Sequence, residues 1–210
     1  MAMRLQEVHP ALVHFPIVLI PTALVADALG RVMGSKPLME TGRRLMPIAA
    51  AGAALAGVFG LIAQESVKTD ERSDPVLTTH RNLNAALVVT TAAMAAKRAR
   101  RSRPGLGYLL MGAAGTATMA YSAYLGGHMV YELGVGVSPA DGVIEELAPQ
   151  ITADELGEVA SISAENLRKS LQHTADYLMR GQVVPTLTGQ ESGGPRFRNE
   201  EPAAPEPAHA

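Results

Sequence analysis

His9-Pro10-Ala11-Leu12-Val13-His14-Phe15-Pro16 opens the first long apolar run of this chain. Two imidazoles and two prolines are costly beside lipid unless other groups meet them. The apolar run continues to Leu29. That length matches the roughly 20 residues with which a helix crosses ~30 Å of hydrocarbon. Everything else in the chain is read from this first span.

Three further runs follow: Leu45 to Ala63, Val76 to Ala96 and Leu106 to Gly127. The third carries His80, Arg81, Asn82 and Asn84 in its first turns. It spans only if neighbouring helices take up those groups and the polar turns lie near the interface. The expected fold is therefore all-α: an integral membrane four-helix bundle over residues 1–138. A polar extension over residues 139–185 adds one short outer amphipathic helix, with Leu156, Val159, Ile162, Leu167, Leu171 and Leu178 spaced for one face. Between them, Met129 to Val137 reads as a turn or interfacial segment, because its glycines weaken a helix interior. Residues 186–210 turn to Gly, Glu and Pro and read as a disordered tail.

Composition narrows the classes. The 210 residues are 47% hydrophobic but only 4% aromatic, so Ala, Gly, Val, Leu and Met must make the helix contacts. Small residues at this density suit close helix approach in a bilayer. The net charge of −2 gives no case for nucleic acid. With no cysteine, disulfides, Cys-ligated zinc, thiolate iron–sulfur sites and c-type haem attachment are excluded. No small-x-small cleavage site ends the first run, which is read as retained.

Positive charge sets the expected orientation. Arg31, Lys36, Arg43 and Arg44 follow the first run, and Lys97, Arg98, Arg100, Arg101 and Arg103 follow the third. The second connection is mixed, with Glu65, Lys68, Asp70, Glu71, Arg72 and Asp74. The basic loops belong inside, so both termini are expected on the outer, periplasmic side of an inner membrane. Tyr121, Tyr124 and Tyr131 read as interfacial anchors. Binding of anionic lipid is a second use for the basic loop, beyond its topology signal.

This topology brings four of the six histidines, His9, His14, His80 and His128, to the outer end. A neutral imidazole is a ready ligand for haem iron, copper or zinc, and bundles hold cofactors between facing helices. His14 and His80 are the preferred ligand pair, with His128 as substitute or second-site ligand. Arg81 or Arg4 would pair with propionates, and Asn84, one turn from His80, would bond the ligand imidazole. His9, before Pro10, reads first as a helix-start residue and joins the set only as a metal ligand. Histidines at a helix end also commonly bond only water or a carbonyl. Asp27, the one acid deep in an apolar run, is expected to snorkel or to pair with Arg31 one turn on. His173 and His209 lie in the polar C-terminal region.

Three motifs in order, His9 to Pro16, His80-Arg81-Asn82-Leu83, and Gly126-Gly127-His128-Met129-Val130-Tyr131 followed by Gly134 to Val137, resemble a bacterial membrane family. It is catalogued as domain of unknown function 2231, and the resemblance covers about residues 5–138. It implies a four-helix membrane domain. Members joined to Rieske or cytochrome-type modules imply redox work, with the electron-transfer partner of this chain a separate protein.

The leading expectation is a b-type haem-binding electron-transfer subunit with its site near the outer face. A cofactor-free structural subunit of a larger membrane complex, and a copper- or zinc-binding membrane protein using Glu65 or Glu132 beside the histidines, are the alternatives. Expected partners are membrane lipid and other membrane or redox proteins. No hydrolase, transferase or nucleotide-binding motif is present.

Overall fold

The computed structural model describes residues 3–189. Seven α-helices run in order: α1 Val8–Leu12, α2 His14–Met33, α3 Lys36–Ala63, α4 Ser73–Ala99, α5 Leu106–Tyr131, α6 Leu156–Met179 and α7 Pro185–Thr188. Among the described residues there is no strand beyond two isolated bridges, Arg4 to Gln150 and Val67 to Val143. The all-α expectation holds.

Local chemistry marks the breaks. α2 ends at Gly34 in the left-handed conformation, φ +67°, where a side chain would be strained. Pro37 then stands in the first turn of α3, where its missing N–H removes no intrahelical bond. α5 starts after Pro104-Gly105. The fourth apolar segment does not stop at Gly127 as drawn from the sequence. Helix continues to Tyr131, and the glycines that bend the chain are Gly134 and Gly136, at φ +67° and +76°. Residues 186–188, drawn with the tail, form a helical turn with Pro185. The remainder of the expected tail, with His209, lies outside the described residues.

α2 packs along α3, α3 on α4, α4 on α5, and α5 returns to α2. The inner contacts are made by small or slender side chains: Ala23, Ala49, Met46, Met94 and Tyr108 are buried. Ile20, Leu24, Leu87 and Leu125 are buried with them, but many large apolar side chains point out. Phe15, Val18, Val25, Leu29 and Val32 on α2, Ile48 and Leu55 on α3, and Leu106 and Leu110 on α5 are exposed. A water-soluble helical protein would bury these and expose polar groups. The inversion suits a lipid surround, in which close packing of small residues holds helices together. Two helical runs, Leu5–Met33 and Lys36–Ser66, are long and apolar enough to cross a membrane by length and composition.

The polar first turns of α4 have a different outlet from lipid. α6 packs against α3 and the turn Gln64–Ser66, and α7 packs against α4. Ser73, Asp74, Thr78, Thr79, Arg81 and Asn82 are all buried there. Tyr177 of α6 donates its hydroxyl to Asp74 at 2.9 Å, and Thr186 of α7 gives its N–H to Thr79 Oγ1 at 3.0 Å. Asn166 donates to Ser66 Oγ and to the Leu147 carbonyl at 3.3 and 3.2 Å. The C-terminal segment thus takes up polar groups that the hydropathy pattern leaves awkward.

Candidate functional site

The ring that meets His80 is that of His9. Their centroids lie 6.3 Å apart and the ring planes are almost perpendicular, at 84°. His9 sits in the short α1 and reaches α3, where its Nδ1–H donates to the Ala56 carbonyl at 2.9 Å. His80 in α4 reaches α5, where its Nδ1–H donates to the Ser122 carbonyl at 2.8 Å, with Ser122 Oγ at 3.1 Å. A carbonyl only accepts, so each Nδ1 carries the proton and each Nε2 keeps its lone pair.

Two glycines make room for these rings. A Cβ at Gly60 of α3 would stand 3.0 Å from the His9 ring, and one at Gly126 of α5 would stand 3.2 Å from His80 Cε1. One turn beyond Gly60, Gln64 is buried, and neither atom of its amide has a hydrogen-bond partner among the described residues. An unmet buried amide costs about 1–3 kcal/mol, so this corner is polar and under-satisfied.

Asn84 sits where the helical spacing put it. Its amide donates to His80 Nε2 at 3.1 Å, to the His80 carbonyl at 2.8 Å and to Ser122 Oγ at 2.8 Å. The other candidates go elsewhere. His14 is exposed on α2, and its Nδ1–H turns back to the Ala11 carbonyl at 3.2 Å. Pro16 lacks the N–H that a regular helix would give to the Leu12 carbonyl, and α1 gives way to α2 at Val13. His128 stacks on Tyr124 at 6.1 Å and lies 3.8 Å from Glu132. Arg81 is turned to the C-terminal segment, with its guanidinium 5.1 Å from the centre of the Tyr177 ring. Arg4 lies 3.6 Å from Glu145.

Glu65 pairs with His173 of α6 at 3.1 Å. Among the described residues, no group of three or more His, Cys, Asp or Glu is placed to hold a metal ion. The four histidines expected as metal ligands do not converge as a set.

A second polar cluster lies at the opposite end of the helices, and sequence reading assigned its partner wrongly. Asp27 is fully buried and pairs with Arg98 of α4, not with Arg31. Arg98 Nε lies 2.9 and 3.0 Å from the two carboxylate oxygens, and Nη2 lies 2.8 Å from Oδ1. Tyr108 of α5 donates to Oδ2 at 3.0 Å, and Arg98 Nη2 also reaches the Met39 carbonyl of α3 at 2.6 Å. Gly42 packs so closely that a methyl there would overlap the Asp27 carboxylate. Arg31 donates instead to the Pro104 carbonyl at 2.7 Å. One ion pair therefore ties all four long helices.

Helices with small residues inside, large apolar residues outside and paired buried charges define a helical membrane protein. The comparison with protein families agrees. A family model described as "Predicted membrane protein (DUF2231)" matches residues 6–139, and the chain belongs to that family. Neither the curated proteins nor the solved structures contain a match to this chain.

Proposed function

We propose that this protein is a four-span inner-membrane subunit, with both termini outside, that holds a b-type haem for electron transfer near its outer face. His9 and His80, in place of His14 and His80, would hold it. The carrying observation is that these two imidazoles, alone among the candidates, meet. Their rings stand edge to face with centroids 6.3 Å apart, so the two side chains share one place in the bundle.

Three further features support the reading. Each Nδ1–H is held by a backbone carbonyl, which fixes the tautomer and keeps Nε2 as the donor atom. Gly60 and Gly126 leave the space beside each ring to the ring itself. Gln64, one turn beyond Gly60 in sequence, has a buried amide without a hydrogen-bond partner among the described residues. Bound haem would supply one-electron chemistry, whose potential the imidazoles and local polarity set. Asn84 would have to release His80 Nε2, so it acts as a placeholder that keeps the ring oriented.

The same Asn84 contact favours a second reading, in which the histidine pair is a structural polar bridge in a cofactor-free subunit. A reduced-minus-oxidised visible spectrum of the detergent-purified protein, expressed with ample haem, decides between them. A sharp α-band that is lost in His9→Ala and His80→Ala but kept in His14→Ala is the expected result. No band, or a band indifferent to His9 and His80, refutes the haem reading. Orientation is read separately: the chain has no cysteine, so single cysteines at Ser35, Lys68 and Ser102 report sidedness by labelling intact cells. Lys68 alone should label.

A further inference from the structure

A cavity of about 260 Å³ opens between the end of α4 and the start of α5. Lys97, Arg101 and Arg103 line it, with Arg98 and Tyr108. The charge of Arg98 is matched by Asp27, which leaves the other three in excess. Lys97, Arg101 and Arg103 are exposed, and none has a carboxylate partner among the described residues.

The wall is built rather than loose. Arg98 Nη1 donates to the Arg101 carbonyl, Arg31 Nη1 to the Pro104 carbonyl at 2.7 Å, and Arg103 Nη2 to the Arg31 carbonyl at 3.3 Å. The first turn of α5, at Leu106 and Gly107, completes the lining. That turn has no acidic residue and no side-chain cap. Its N–H groups and the positive end of the helix dipole add to the cationic field. Beside this charged pocket Leu106 and Leu110 are 63% and 62% exposed on the outer surface of α5.

Cations, free helix N–H groups and an adjoining apolar strip match one amphiphile. We propose that this cavity binds the phosphate group of an anionic phospholipid, with the acyl chains along Leu106 and Leu110. The site rests on the membrane reading above and is independent of the haem.

The decisive variant is Gly107→Glu. Position 107 is exposed and nothing lies within 4 Å of where its Cβ would stand, so a side chain can start there without a clash. All basic residues, and with them the topology signal, remain. Gly107→Gln has the same bulk without the charge. Purified full-length protein is equilibrated in mixed micelles of phosphatidylglycerol and phosphatidylcholine in equal amounts, and retained lipid is counted by native mass spectrometry. The wild type and Gly107→Gln should retain the anionic lipid preferentially. Gly107→Glu should lose that preference by roughly fivefold, the value of one charge at a lipid surface, and Lys97→Gln/Arg101→Gln/Arg103→Gln should lose it further.

Inorganic phosphate added in competition separates the sources. Displacement assigns the site to the phosphate group alone, and persistence assigns it to the whole lipid. Equal retention of both lipids by the wild type, or identical behaviour of Gly107→Glu and Gly107→Gln, overturns the proposal. Micelles have no sidedness, so this result stands apart from the cysteine labelling that tests the four-span topology.

Discussion

Replacing Asp27 by Asn should be among the most damaging single changes in this protein. The carboxylate accepts from two nitrogens of Arg98 and from Tyr108. An amide of the same shape removes the charge and turns an NH2 group toward one of those donors. Removing one partner of a buried ion pair costs about 3–5 kcal/mol, because the other charge stays buried and uncompensated. Arg98 keeps its bonds to the Met39 and Arg101 carbonyls, so the low end, about 3 kcal/mol, applies. The assay is reversible unfolding in mixed micelles by increasing anionic detergent, followed by circular dichroism.

The double change Asp27→Leu/Arg98→Met supplies the control. Two apolar side chains fill the space without leaving a charge, and such exchanges are often neutral. The double variant should lie within about 1–2 kcal/mol of the parent, far less than the sum of the single losses. Additive losses, or an Asp27→Asn protein as stable as the parent, would refute the argument that this pair ties the helices.

Gly42→Ala should destabilise by about 1–3 kcal/mol through overpacking against the Asp27 carboxylate, read in the same unfolding assay. Tyr108→Phe removes one bond to a charged acceptor and should cost about 1.5 kcal/mol there. Asn166→Ala should leave the helices intact but loosen α6, seen as faster proteolysis after Arg168 and Lys169. The Ser73 hydroxyl, and the Ser73 and Arg72 N–H groups, hold the Asp70 carboxyl below its usual value. Its contribution is fully present above the unfolded pKa, about 3.9, and is lost as pH falls towards the depressed folded value. Asp70→Asn should therefore flatten the acid limb of the stability profile below about pH 4, measured by thermal melts across that range.

Helix positions and charge asymmetry were legible because both are local properties of composition. The pairings were not. Asp27 and Arg98 stand far apart in the chain, while Arg31 is one turn away, so proximity in sequence favoured the wrong partner. His9, before Pro10, reads as a helix-start residue, and the contact of its ring with His80 is a tertiary one that no local pattern carries. The bond from Asn84 to His80 was readable because no break separates them. The polar turns of α4 looked like a weak span, since nothing in the pattern of α6 says that Tyr177 and Asn166 come to meet that end of the helices.

The first described residues are tied to a segment made much later. Leu5 gives its N–H to the Pro149 carbonyl at 3.1 Å, and Ile151 gives its own to the Met3 carbonyl at 2.8 Å. Leu5 is almost wholly buried, in a cluster with Ile62 and Val159. During synthesis, the stretch leading into α1 therefore waits with its hydrogen bonds unmet until residues near 150 emerge. A chain stalled after α5 already holds the carbonyls of Ala56 and Ser122 that meet His9 and His80, but lacks the partners that Met3 and Leu5 take near residue 150.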